Sequence, residues 1–267
     1  MSSIITLTTD FGLNDEYVGV MKGVILCQAP DARIIDLCHG VPAQDIRSAA
    51  YLLQASFAFF PPQTIHTIVV DPGVGSNRDI ILVLHKDHLF LAPDNGLLTP
   101  ILDHSSLAFR LENKQIPLQH LSTTFHGRDI FAPCAAFLAN NGNPEDFGPQ
   151  IPISSLQTIP LPQPVIDSAA GIITGTVISI DRFGNIGTNI SVQHLESITA
   201  RTNNRSIELV VGNHRIKGLN QSYKETAVGQ PLLIVNSRNH LEVAISQGSA
   251  AQTLEIKLND PLKLEIW

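Results

Sequence analysis

Four short polar clusters in this chain carry the residue types of a reactive site. The first is Thr8-Thr9-Asp10-Phe11-Gly12, followed by Asp15 and Tyr17. An aspartate at the carboxyl end of a strand can accept both hydroxyls of a vicinal diol, and it can equally cap the next helix. The second is Val70-Asp71-Pro72-Gly73-Val74-Gly75, with Arg78 seven positions beyond Asp71. A carboxylate and a guanidinium so spaced can fold back into a pair, as a loop clamp or as a charged centre. The loop has neither the Lys-Ser/Thr of a P-loop nor G-x-G-x-x-G spacing, which leaves little support for phosphate binding. Third comes Ala92-Pro93-Asp94-Asn95-Gly96, by composition a tight turn. The fourth, Thr124-Phe125-His126-Gly127-Arg128-Asp129, sets a histidine, an arginine and an aspartate ahead of a predicted helix, where anionic groups are favoured. Each cluster alone has an ordinary structural explanation. Together, all at predicted strand ends, they mark a polar pocket, because open α/β sheets bind ligands beyond the carboxyl ends of their strands.

The elements that must position these clusters follow from periodicity. Short β-branched runs at Ile4–Thr8, Arg33–Leu37, Ile65–Val70, Ile80–Leu84 and His88–Ala92 alternate with helical spacing over Glu16–Cys27, Gln44–Phe59 and Ile130–Asn140. This predicts an α/β domain with a mostly parallel sheet over 1–148. Five prolines between Pro149 and Pro164 then predict a linker over 149–169. From 170 to 267 the runs alternate with period two: Ile172–Ile180, Ser206–Val211, Leu232–Val235, Leu241–Ile245 and Leu254–Leu258. A small all-β, barrel-like domain is expected there.

Composition removes several classes. The chain has 267 residues, 17 basic against 24 acidic side chains and a net charge of −7, so neither nucleic acid nor an anionic membrane is an expected partner. With 43% hydrophobic and 15% charged residues it is expected to fold rather than remain disordered. Apolar runs such as Ala55–Phe60 fall far short of the roughly 20 residues of a membrane span. No basic residue precedes Lys22, so no secretory signal is indicated and a cytoplasmic location is expected. Cys27, Cys38 and Cys134 form no C-x-x-C pair and read as small buried apolar residues.

As a set, the motifs Thr8-Thr9-Asp10-Phe11-Gly12, Tyr17-Val18-Gly19-Val20-Met21-Lys22-Gly23, Asp71-Pro72-Gly73-Val74-Gly75, Pro93-Asp94-Asn95-Gly96, Phe125-His126-Gly127-Arg128-Asp129 and Asp181-Arg182-Phe183-Gly184-Asn185 resemble one family nearly end to end. It is the S-adenosyl-L-methionine hydroxide adenosyltransferases, which hydrolyse S-adenosylmethionine to adenosine and methionine and are related to fluorinating and chlorinating enzymes. The resemblance implies that Asp71, Arg78 and His126 position and activate the attacking water. It also implies that Asp10 holds the ribose diol, and that Asp15, Ser237 and Arg238 hold the methionine end. Adenine would be read by Asn185 in the second domain, with Phe183 and Tyr223 as stacking faces. A homotrimer is implied as well, its sites lying between the first domain of one subunit and the second domain of its neighbour. The chain departs from the family pattern at Cys38, often a hydroxyl residue in relatives, and at Gly187, aromatic in the fluorinating relative.

The implied chemistry is consistent with the residues. A sulfonium at the 5′ carbon leaves as a neutral thioether, which needs neither an acid nor a metal, so no cofactor is expected and S-adenosylmethionine is substrate only. The enzyme must supply an oriented, partly deprotonated water in a dry site. A guanidinium has only donors, so Arg78 cannot be the base, and the proton goes to His126 or Asp71. The expected order is that Asp71 orients the water and His126 carries the proton away. A halide beside Asp71 would suffer like-charge repulsion, which disfavours halogenation. Two other readings are a metal-dependent phosphoesterase built on Asp10, Asp71, Asn95 and His126, and a non-catalytic sensor of S-adenosylmethionine or adenosine. The first lacks the usual D-x-H and G-N-H-E signatures, and the second gives no reason to bury a charged trio.

Overall fold

The computed structural model describes residues 3–112, 121–199 and 206–267. The chain divides into two compact units, Met1–Pro160 and Leu161–Trp267.

In the first unit, the described strands are β1 (Ile4–Thr9), β2 (Arg33–Cys38), β3 (Ile65–Val69), β4 (Ile80–His85), β5 (His88–Pro93), β6 (Leu107–Arg110) and β7 (Gln150–Ile151). The helices are α1 (Tyr17–Gln28), α2 (Ile46–Ser56) and α3 (Ala132–Ala139). The strands form one sheet in the order β2-β1-β3-β5-β4-β6-β7. Side chains alternate between its faces. Ile5, Leu7, Val69, Leu82 and Leu91 pack with Met21 and Ile25 of α1 and Cys134 and Ala135 of α3. Ile68, Val70, Ile81, Val83 and Phe90 face Ala49 and Leu53 of α2 and the following Phe57. Covered on both faces, β3 is buried throughout, as a central strand should be.

The sheet is mixed, which corrects the expectation of a mostly parallel one. Strands β2, β1, β3 and β5 are mutually parallel, whereas β4, β6 and β7 pair antiparallel. The cause is local. Only Lys86 and Asp87 separate β4 from β5, both with positive φ (46° and 60°), a two-residue hairpin turn that admits no parallel crossover.

A π-helical turn at Gly127–Phe131 precedes α3, where an uninterrupted α-helix from Ile130 is expected. Pro133 stands in the first turn of α3 and lacks the N–H that α-helical register would aim at the Asp129 carbonyl. The chain instead closes a wider turn, from Ala132 N–H to Gly127 C=O.

Under Phe57 lies a sealed group of histidines. His66 Nδ1 is 2.9 Å from Thr6 Oγ1 and its Nε2 is 3.2 Å from His88 Nδ1, while His85 Nδ1 is 3.0 Å from Ser106 Oγ. Phe57 stands edge-on to all three rings and Phe90 stacks on His66 at 5.0 Å. Burial pushes His66 down to about 3, helped by the neighbouring His88.

The proline-rich segment is ordered at both ends. Gln150–Ile151 pairs with β6, Leu156 is buried, Gln157 N–H donates to Asp94 Oδ1 (2.9 Å) and Ile159 N–H to Thr99 Oγ1 (3.0 Å). In the second unit, β8 (Val165–Asp167) pairs with β9 (Ile172–Ile180). There β10 (Ile186–Ser191), α4 (Val192–Thr199), β11 (Ile207–Val211), β12 (His214–Lys217), β13 (Pro231–Val235), β14 (His240–Ile245), α5 (Ala250–Thr253) and β15 (Pro261–Ile266) complete the described elements. The antiparallel order is β12-β11-β15-β9-β10-β14-β13, and a bridge from Asn220 to Ile234 brings its two ends nearly to closure. Leu254–Leu258, expected as a strand, is a turn that buries Leu254 and Ile256. The final strand begins at Pro261, because proline is tolerated at a strand's first position.

Candidate active site

The chain leaves β1 toward β2 on one side, and β3 is inserted on the other side of β1. The carboxyl ends of β1 and β3 therefore diverge at a topological switch point, where such sheets bind ligands. A cavity of about 380 Å³ opens there, within the usual range for small-molecule sites. Asp10 and Phe11 line it from the end of β1, Asp71 and Val74 from the end of β3, and Phe125 and His126 from the segment before the π-helical turn.

Asp71 and Arg78 form a bidentate pair. Arg78 Nε donates to both carboxylate oxygens at 2.9 Å, and its Nη2 donates to Oδ2. Their side chains are only 4% and 10% exposed, so solvent screens their mutual attraction little. The same Nη2 donates to His126 Nδ1 at 2.8 Å. The loop between Asp71 and Arg78 is shaped by Gly75. Its φ of +78° and its approach to the Thr123 carbonyl, into which a Cβ would collide, both require glycine.

Burial first, and then the Arg78 charge, hold His126 below the ordinary imidazole range, against the opposing pull of Asp71 and Asp129. At neutral pH the ring is therefore uncharged. Arg78 can only donate, so Nδ1 is an acceptor and the ring proton is on Nε2. Asp129, held low chiefly by Arg128, accepts the Ser122 N–H at 2.7 Å and so fixes the segment that carries Phe125 and His126.

Asp10 Oδ2 accepts the Gln44 N–H at 2.8 Å, with Gln44 at a φ of +65°. Behind it, Thr9 Oγ1 accepts the Phe11 N–H and lies 2.9 Å from His39 Nδ1, whose Nε2 donates to Asp36 at 3.0 Å. Asp15 lies in an exposed bend before α1, outside the cavity lining, although Tyr17 is part of it. The structure thus brings Asp10, Asp71, Arg78 and His126 together and leaves Asp15 apart.

The other expected residues belong to the second unit. Asp181 Oδ1 accepts the Phe183 and Asn185 N–H groups, each at 2.9 Å, which shapes the β9–β10 turn and leaves Phe183 75% exposed. Tyr223 donates to Glu242 Oε1 at 2.8 Å. Partial burial, then that bond and the Asp181 charge, push the phenol up to about 12. Glu242 Oε2 accepts from Asn236 Nδ2 (3.2 Å), and Asn236 Oδ1 accepts the Arg238 N–H (2.9 Å) in the turn that holds Ser237. Gly187 has a packing reason: an added Cβ would collide with the Ser179 hydroxyl.

Sequence reasoning missed Gln44, which acts through its backbone, and Glu242, whose place beside Tyr223 depends on strand register. It assigned no role to Phe11, Tyr17 and Phe125, although Phe11 and Phe125 directly adjoin Asp10 and His126 in the sequence. Among the described residues, no group of three His, Cys, Asp or Glu side chains is placed to hold a metal ion, and no helix is long and apolar enough to cross a membrane.

Fold and site define a two-unit chain whose α/β unit holds a carboxylate, a guanidinium and an imidazole at its switch point. The model of the SAM hydroxide adenosyltransferase N-terminal domain matches residues 5–148, and that of the C-terminal domain matches 175–263. The chain belongs to the SAM hydroxide adenosyltransferase family. It is 36% identical over 265 residues to a protein of Thermus thermophilus named (R)-S-adenosyl-L-methionine hydrolase, covering 96% of this chain and 97% of that one. A solved structure of an uncharacterized conserved protein from Thermotoga maritima superposes with a TM-score of 0.89 at 33% identity, over 98% of this chain and 99% of the other. More distantly, a fluorinase of Actinopolyspora mzabensis is 26% identical over 283 residues, covering 95% of this chain and 94% of that one.

Proposed function

We propose that this protein hydrolyses S-adenosyl-L-methionine to adenosine and L-methionine by attack of a water-derived oxygen on the ribose 5′ carbon. The carbon–oxygen bond forms as the carbon–sulfur bond breaks, the thioether takes the electron pair, and one water proton is released. The reading rests on the Asp71–Arg78–His126 network at the switch-point cavity, with an uncharged imidazole beside a paired carboxylate.

The hydrogen bonds favour an order of roles opposite to the expected one. The lone pair of His126 Nδ1 is engaged by Arg78, so taking up a proton there would break that bond. His126 instead offers its Nε2–H to the water oxygen and holds it in line, while Asp71 receives the proton and Arg78 stabilises the pair. Asp10 keeps acceptor capacity beyond its bond from Gln44 and holds the ribose diol. By family resemblance, Asn185 reads adenine, Phe183 and Tyr223 flank it, and Asp15, Ser237 and Arg238 take the methionine end, in a cytoplasmic homotrimer.

The test is direct. Purified protein given S-adenosylmethionine with excess chelator releases adenosine and methionine in equal amounts. Recovery of intact substrate alone at high enzyme concentration rejects hydrolysis, and loss of turnover on chelation rejects the metal-independent route.

A further inference from the structure

Three aromatic rings that the water-activating network does not use stand in the same cavity. Tyr17 and Phe125 lie 5.0 Å apart at 81°, Phe11 and Tyr17 5.6 Å apart at 55°, and Phe11 and Phe125 6.1 Å apart at 73°. Rings at such angles form the sides of a corner rather than a stack, an arrangement in which several π-faces can turn toward one cation. Phe125 already has one cation over it, the Arg128 guanidinium at 5.3 Å, whose charge Asp129 offsets.

The substrate of the proposed reaction carries a fixed positive charge on sulfur, and something in the cavity has to distinguish it from the neutral thioether left after its loss. The carboxylates that line it among the described residues have other roles in the proposed reaction: Asp71, paired with Arg78, receives the proton, and Asp10, which accepts the Gln44 N–H, holds the diol. A carboxylate on the sulfonium would also oppose the departure of the thioether more strongly than a ring does. We infer that Phe11, Tyr17 and Phe125 form an aromatic corner that reads the sulfonium charge and selects the charged substrate over uncharged thioether nucleosides.

This inference rests on the proposed function and adds the property by which the site chooses its substrate. Since the sulfur loses its charge as the bond breaks, the contact favours the bound ground state over the transition state. Its loss therefore raises KM without lowering kcat. An oriented proton acceptor, by contrast, would lower kcat.

Two unreactive ligands separate charge from shape: sinefungin, with an ammonium in place of the sulfonium, and S-adenosylhomocysteine, with a neutral thioether. Calorimetry on the full-length protein compares their affinities in the wild type and in Tyr17→Leu, Phe125→Leu and Tyr17→Phe. The wild type prefers sinefungin, and each leucine variant cuts that preference about tenfold, between the size of an exposed and of a desolvated cation–π contact. Tyr17→Phe, which keeps the ring, retains the preference. An unchanged preference in both leucine variants, or equal weakening of both ligands, overturns the inference. A wild type that releases no adenosine from S-adenosylmethionine defeats the hydrolysis reading, while the affinity ratio still judges the corner by itself.

Discussion

His126 and the His66–His85–His88 group are both imidazoles held below their ordinary range inside one α/β unit, yet they put that shift to different ends. His126 lines a cavity and has charged partners on both sides, so its protonation state is coupled to Arg78, Asp71 and Asp129. His66 is fully buried among Thr6, His88 and aromatic rings, and no ligand can reach it. Desolvation leads in both cases. What differs is access, and access separates a group that can govern a reaction from one that can only govern folding.

The sharpest break in this comparison is Asp71→Asn. It removes the paired carboxylate and is expected to lower kcat about a thousandfold or more while adenosine affinity changes little. Adenosine release and calorimetry measure the two arms. On the sealed side, Phe57→Ala opens a cavity beside three histidine rings and should cost about 3–4 kcal/mol in urea unfolding, with kcat of the folded fraction unchanged.

Next in size is the response to pH. His66 is neutral when folded, and its pKa is about 3 against 6.5 for an ordinary histidine, so the unfolded chain binds the extra proton between those values. Stability is full above pH 6.5 and declines as pH falls toward 3, by about 1.4 kcal/mol per unit from this one group. Urea midpoints across that window test the slope, which His66→Gln should flatten. Activity also fails on the acid side: a proton on His126 Nδ1 would meet the Arg78 N–H, so the limb of kcat/KM lies below the ordinary histidine value and moves independently of the stability curve.

The smallest effect belongs to Lys22→Met. Lys22 binds Asp36 at 2.6 Å with both side chains partly exposed, so its removal from the chain leading to His39 should change stability by no more than about 0.5 kcal/mol and leave the activity limb in place.

What the sequence disclosed follows how local each signal is. Strands β1 and β3 were legible because each is a short run rich in β-branched Ile, Val and Thr, and the clusters at their ends were legible because Asp10 and Asp71 end those runs. The turn between β4 and β5 was not, since Lys86 and Asp87 lack the asparagine–glycine signature that usually marks a two-residue hairpin. The pairing of Asp71 with Arg78 could be suggested from a seven-residue separation, whereas the reach of Arg78 to His126, 48 positions away, depends on the folded loop around Gly75. Tautomers lie further still from sequence: that His126 keeps its proton on Nε2 follows only from having a donor opposite Nδ1.

Pro133 has a mechanical meaning beyond helix geometry. A ring that cannot donate a hydrogen bond stops the third helix from winding back by one residue, a slip that would swing the preceding side chains by about 100° around its axis. The histidine at its mouth is thereby locked in azimuth by an amino acid that never meets the ligand. Aim, in this molecule, is set by a missing hydrogen.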